Sequence, residues 1–194
     1  MPAISELDEP LSDGHVCIRL AAERDIPEIL IAHQDDPVLA ELIGLVRPPT
    51  GAELGRAMEG AAVGRATGTA VTLTILEPGS DECCGQIHAE RFDWEHAHAE
   101  ISIWLAPDAR GRGLGHRALA LSAAWLLEAC RLERVQLLAP PGNEPAIRAA
   151  LAAGFTSEGI LRSHARLRGT RTDLTVLSRI ASDEARPSSD GARP

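Results

Sequence analysis

Along this chain apolar residues recur first at helical spacing, then at every second position, then in a continuous run. His15 to Leu20 reads as a short strand. Asp25 to Gln34 carries Ile26, Ile29, Leu30 and His33 on one helical face. Val38 to Val46 and Glu53 to Arg65 predict two further short helices, parted by Pro48-Pro49-Thr50-Gly51. The period then falls to two. Thr69 to Leu76 and Gly85 to Phe92 predict strands around the turn Pro78-Gly79-Ser80-Asp81, with a third strand from His98 to Leu105. In that third strand Ala99, Ile101, Ile103 and Leu105 share one face; His98, Glu100, Ser102 and Trp104 share the other.

A glycine-rich segment follows, then a helix whose Leu114, Ala118, Leu121, Trp125 and Ala129 form an apolar stripe. Val135 to Ala139 is continuously apolar, the mark of a central parallel strand. Asn143 is a natural N-cap for a helix to Ala153, which Gly154 ends as a left-handed cap. Thr156 to Arg168 and Thr172 to Ile180 predict a hairpin. Residues 1–14 read as a flexible tail and 182–194 as a disordered one, since neither has much to bury. The order predicts an α/β or α+β domain over 15–181, its sheet mostly antiparallel with one parallel step.

Composition narrows the function. The 194 residues hold 28 acids against 19 bases, a net charge of −9, and every base is arginine. An acidic chain is poorly suited to nucleic acid or an anionic membrane surface. Without lysine there is no Walker-type phosphate loop, and no run of about 18 apolar residues predicts a membrane span. The four cysteines, Cys17, Cys83, Cys84 and Cys130, suggest neither a disulfide framework nor a zinc site. A reduced, cytoplasmic protein without a metal is expected.

The most informative segment is Arg110-Gly111-Arg112-Gly113-Leu114-Gly115, which opens a helix. Glycines let successive amides converge on one anion, the helix N-terminus adds a favourable dipole, and Arg110 and Arg112 offer countercharge. A pyrophosphate is the natural guest. A dinucleotide fold would need a strand running straight into the first glycine; here Ala106 to Arg112 intervene.

The strand His98–Leu105, then Pro107, then Arg110-x-x-Gly113-x-Gly115 resembles the acyl-CoA motif of the GNAT acetyltransferases, Q/R-x-x-G-x-G/A. Asn143, Ala146-Ile147 and Ala153-Gly154-Phe155 are similar to the same family's downstream helix. Glu158-Gly159-Ile160-Leu161-Arg162, with Gly169 and Asp173, resembles the RimJ/RimL-type branch that acts on ribosomal-protein N-termini. The resemblance implies a central mixed sheet of six to seven strands flanked by helices, with a splayed parallel strand pair holding acetyl-CoA. It implies that the amides of Gly111, Arg112, Gly113, Leu114, Gly115 and His116 take the pyrophosphate, beside Arg110. It also implies that backbone at Ile103, Trp104 and Leu105 pairs with the pantetheine amides, and that Asn143 binds the pantetheine arm or an ordered water.

The resemblance makes Glu100 the candidate base that removes a proton from an acceptor amine; His98 and Ser102, on its face of the strand, are read on the acceptor side, as is His88, which is also the candidate auxiliary base. The acceptor is a protein N-terminus or a small-molecule amine, attacking directly in a ternary complex; a homodimer is compatible with this reading. One departure matters. The family's usual tyrosine or serine acid falls on Ala150 or Ala146, and the chain has no tyrosine at all. An acyl-CoA-binding module with little catalysis, or an enzyme using a longer acyl-CoA, are the competing readings.

Overall fold

The computed structural model describes residues 4–167 and 169–183. One eight-stranded sheet runs through the molecule in the order β1-β2-β3-β4-β5-β6-β8-β7. Its strands are β1 (Leu11–Ser12), β2 (Cys17–Leu20), β3 (Ala70–Leu76), β4 (Gly85–Asp93), β5 (His98–Leu105), β6 (Arg134–Ala139), β7 (Thr156–Leu167) and β8 (Thr170–Ile180). Every neighbouring pair is antiparallel except β5 and β6. Helices α1 (Ile26–Asp35), α2 (Leu39–Leu42) and α3 (Gly51–Thr67) lie toward the first half of the sheet; α4 (Leu114–Glu128) and α5 (Glu144–Ala152) are associated with the second.

The alternation read from β5 holds. Ala99 and Ile101 are buried beneath α4, and Trp104 on the opposite face stands 6.3 Å from the His33 ring of α1. Helix α4 buries a wider stripe than its spacing predicts: Leu119, Ala123 and Leu126 are fully enclosed, while Ala129 is exposed. A helix covered by sheet on one side and by α5 on another needs more than one apolar row. Asn143 caps α5 by accepting the Ala146 amide at 3.3 Å, and Gly154 follows with φ of 85°.

Two expectations change. The predicted helix over Val38–Val46 shrinks to Leu39–Leu42, leaving 43–49 as a loop over the sheet. The composition of 1–14 hides a strand. Asp13 accepts the His15 and Val16 amides and Gly14 takes a φ of 83°, so β1 folds back on β2 and the sheet gains its eighth strand. Upstream, Ile4 is buried and Ser5 Oγ donates to the Ala129 carbonyl at 2.5 Å. At the other end, residues 182–183 belong to the 3-10 turn Ala181–Asp183; 184–194, and Arg168 of the predicted hairpin turn, lie outside the described residues.

A buried pin fixes the start of α1. Asp25, 1% exposed, accepts two bonds from the Arg19 guanidinium on β2, one from Thr74 Oγ1 on β3 and one from the Ala22 amide. Burial alone would raise its pKa, but the bonds from Arg19 and Thr74 outweigh that and hold the carboxyl below its usual range. The wall that α1 and α3 build over β3–β5 is thereby set.

Candidate acyl-CoA and acceptor site

The parallel pair β5–β6 is in register only from His98↔Arg134 to Ile101↔Leu137. Beyond that point β5 continues to pair with β4 as far as Leu105, and β6 with β8 as far as Ala139. Each limb keeps its outer partner, so a V opens between Ser102–Leu105 and Leu138–Ala139. Backbone groups of both limbs that face the V have no ladder partner there, and Pro140 and Pro141 bring no N–H of their own.

The glycine loop stands at the open end. Gly111 and Gly113 adopt φ of 73° and 80°, a region closed to most side chains. Gly113 caps α4, whose first-turn amides have no partner within the helix and no acid beside them. At Gly115 a Cβ would approach Leu105 Cδ1 to 3.3 Å, so this glycine lets α4 sit close on β5. The arginines do something the sequence did not reveal. Arg110 donates from Nε to the Leu105 carbonyl at 3.1 Å and pairs with Asp36 at 2.6 Å, bracing the loop against the end of α1. Arg112 pairs with Glu77. Neither is an unengaged countercharge, which leaves the backbone amides at the start of α4 as the uncommitted donors of this loop.

Continuous with the V, a cavity of about 730 Å³ runs from Leu137–Ala139 and Asn143 across β3–β5 to the wall made by α1, α3 and the 43–49 loop. Thr72, His88 and Ser102 form one rung across β3, β4 and β5, and Gln86 with Trp104 forms the next. All five line the cavity, as do Ile103 and Asn143. His88 Nδ1 lies 3.2 Å from Thr72 Oγ1. Burial pushes the His88 pKa down to about 4, so the ring is neutral at pH 7.

Glu100 occupies the last rungs before the V opens, opposite Glu90 on β4 and Gln136 on β6. Its carboxylate accepts from Gln136 Nε2 at 3.4 Å and lies 3.7 Å from Arg91 Nη1. Gln136 is itself oriented, because its Oε1 accepts from Arg134, which forms a bidentate pair with Glu158 at 2.6 and 2.7 Å. Ser178 Oγ completes the series by donating to Glu158 at 2.6 Å. His98 is not brought to the cavity. It starts β5, about 13 Å from Ser102 at strand spacing, and its ring lies 6.4 Å from that of His96. Among the described residues no cluster of three or more potential metal ligands occurs, and no helix is long and apolar enough to cross a membrane.

The apolar wall was not legible as part of a site. Ile29, His33, Leu54 and Met58 face the cavity from α1 and α3; His33 on the stripe with Ile29 was the one available signal. None of the four cysteines lines the cavity; all are free thiols, and burial pushes that of Cys83 up to about 12.

A splayed parallel pair ending in a glycine loop at a helix N-terminus defines a class, and comparison with known proteins agrees. The acetyltransferase (GNAT) domain profile matches residues 15–156. The chain belongs to the GNAT acetyltransferase family. It is similar to an uncharacterized N-acetyltransferase, p20, of Bacillus licheniformis, 25% identical over 118 residues, covering 61% of this chain and 66% of that protein. It is also similar to YdaF of Bacillus subtilis, provisionally named a ribosomal N-acetyltransferase, at 31% over 104 residues, or 54% of this chain and 56% of YdaF. The matches thus span less than two thirds of either relative. Among solved structures, Mycobacterium smegmatis RimJ in complex with CoA-disulfide superposes with a TM-score of 0.79 at 22% identity, covering 90% of this chain and 87% of that one. The fold is therefore the GNAT fold, with eight strands in place of the six to seven expected.

Proposed function

We propose that this protein transfers an acetyl group from acetyl-CoA to a primary amine by direct attack in a ternary complex. The observation that carries this reading is the V between β5 and β6 beside the free amides of α4. The site suits the ligand: Gly113 turns the loop, and Gly115 gives the close approach of α4 to β5. In this account the amides of 111–116 hold the pyrophosphate, the edge of Ile103–Leu105 that β6 leaves open meets the pantetheine arm, and Asn143, whose Oδ1 is spent on capping α5, offers its amide nitrogen. The RimJ neighbour, solved with a CoA-disulfide, supports the choice of ligand.

Bound acetyl-CoA supplies the reactive thioester. The chain's own residues prepare the amine. Glu100, at the foot of the V, takes the ammonium proton directly or through a water; Gln136 and Arg91 orient the carboxylate. Ser102 and neutral His88 contact the acceptor from the cavity floor. Ala146 and Ala150 offer no acid to the departing sulfur, and a thiol with a pKa near ~8.5 leaves acceptably as the thiolate. That missing acid also favours a second reading, an acyl-CoA-binding module with little turnover. Glu100→Gln separates the two. Its kcat should fall about 10²–10⁴-fold with acetyl-CoA affinity retained; a wild-type protein that binds acetyl-CoA yet releases no CoA with any amine selects the binding module. The RimJ/RimL likeness supports a protein N-terminus as the acceptor, small amines being the alternative that an acceptor screen resolves.

A further inference from the structure

The acceptor cavity has a polar end that the proposed chemistry does not use. Gln86 on β4 and His33 on α1 are each 4% exposed, and both line the cavity. Gln86 Nε2 and His33 Nδ1 have no hydrogen-bond partner. Their surroundings are already committed. Thr74, beside Gln86 on β3, donates its hydroxyl to Asp25, and Asp36, close to His33, is held by Arg110 and the Val38 amide. Trp104 joins the two: it faces Gln86 across the β4–β5 ladder and stands 6.3 Å from the His33 ring. Buried polar groups left without partners carry a desolvation penalty, and such groups in a site are commonly reserved for a ligand.

Charge is distributed unevenly along the same cavity. Of its charged lining residues, Arg47 and Glu53 pair with each other at 2.7 Å. Glu90 stands opposite Glu100 at the far end, two rungs from Gln86 on the same face of β4. One end thus offers the Glu90 carboxylate and the other neutral donors and acceptors, with Ile29, Leu54 and Met58 in the wall. Burial lowers the His33 pKa against the pull of Asp36, so that end carries no cation at pH 7. A second ammonium or a carboxylate placed there would be desolvated without a counter-ion.

We propose that Gln86 and His33 form a neutral subsite that hydrogen-bonds an uncharged carboxamide-type group of the acceptor, one to two ladder rungs (about 7–13 Å) from its reacting amine. This rests on the reading that the acceptor amine enters this cavity. Four probes that differ only in the far group test it: 6-aminohexanamide, hexylamine, 6-aminohexanoate and 1,6-diaminohexane, each assayed for CoA release from acetyl-CoA. The amide should exceed the other three at least tenfold in kcat/KM, and Gln86→Leu and His33→Phe should bring it down to the hexylamine value through KM. Equal values for all four in the wild type, or variants that lower all four by one factor, overturn the subsite. Thermal unfolding gives an independent reading, since removing an unpartnered buried group should leave Tm unchanged or raised. A fall of more than about 5 °C in Gln86→Leu makes Gln86 structural and overturns the assignment. Absence of CoA release with every amine counts against acetyl transfer itself. In that case calorimetric binding of 6-aminohexanamide, lost in Gln86→Leu, still upholds the subsite, and no binding to the wild type overturns it.

Discussion

Individual side chains in this protein act through partners distant in sequence. Glu100 is oriented by Gln136, which is oriented by Arg134, which is locked by Glu158. Gln136→Leu should therefore lower kcat several-fold with little change in acetyl-CoA affinity, measured by steady-state kinetics beside calorimetry; an unchanged kcat would disconnect Gln136 from the proposed base. Asp25→Asn would strip Arg19 of its buried carboxylate partner and leave only the exposed Asp81 at 3.3 Å, and should cost about 3 kcal/mol in urea unfolding. The glycines of the loop were readable because backbone geometry demands them one by one. The partners of Arg110 and Arg112 were not, since Asp36 and Glu77 lie far back in the chain and only the fold brings them near. Glu100 was reachable through a family resemblance alone; its alternating pattern equally describes a solvated strand carboxylate.

Elements with a strong period and a terminator were legible. β5 runs from His98 to Leu105 as its alternation predicts, and α5 begins at its Asn143 cap and ends before Gly154. Where the pattern was short, the reading failed: β1 is two residues long and owes its existence to the Asp13-Gly14 turn. The V depends on an element contact no periodicity reports. At Gly85, which pairs with Leu105, a Cβ would collide with the Trp104 carbonyl and the Leu105 backbone. Gly85→Ala should push β4 off the outer limb of the V and weaken acetyl-CoA binding at least tenfold by calorimetry; unaltered affinity would show that the limb does not depend on this contact.

The whole molecule is sensitive to acid through groups that hold its parts together. Glu158 on β7 bonds Arg134 on β6 and Ser178 on β8, and the Arg134 bond, ahead of the Ser178 bond, lowers its pKa to about 2. Its contribution is complete above the unfolded value near ~4.5 and is lost as pH falls through 2. The carboxylate is more than a third exposed, so solvent screening limits the gain to about 0.5–1 kcal/mol. His88 adds to the same acid limb. Folding lowers its pKa from 6.5 to about 4, so the unfolded chain takes up the proton first and stability declines as pH drops from 6.5 to 4. His88→Asn should flatten that decline in Tm against pH, and Glu158→Gln the decline below 4.5; slopes identical to wild type would remove either group from the linkage.

The joining of these parts into an acyl-CoA site is tested most directly by calorimetric titration of the folded protein with acetyl-CoA, beside Gly113→Asp. That substitution sets a side chain at a φ of 80° and a carboxylate where the pyrophosphate should lie. The account predicts one site of micromolar affinity in the wild type, weakened at least tenfold in the variant. No heat from a folded wild-type protein, or equal affinity in Gly113→Asp, would contradict it.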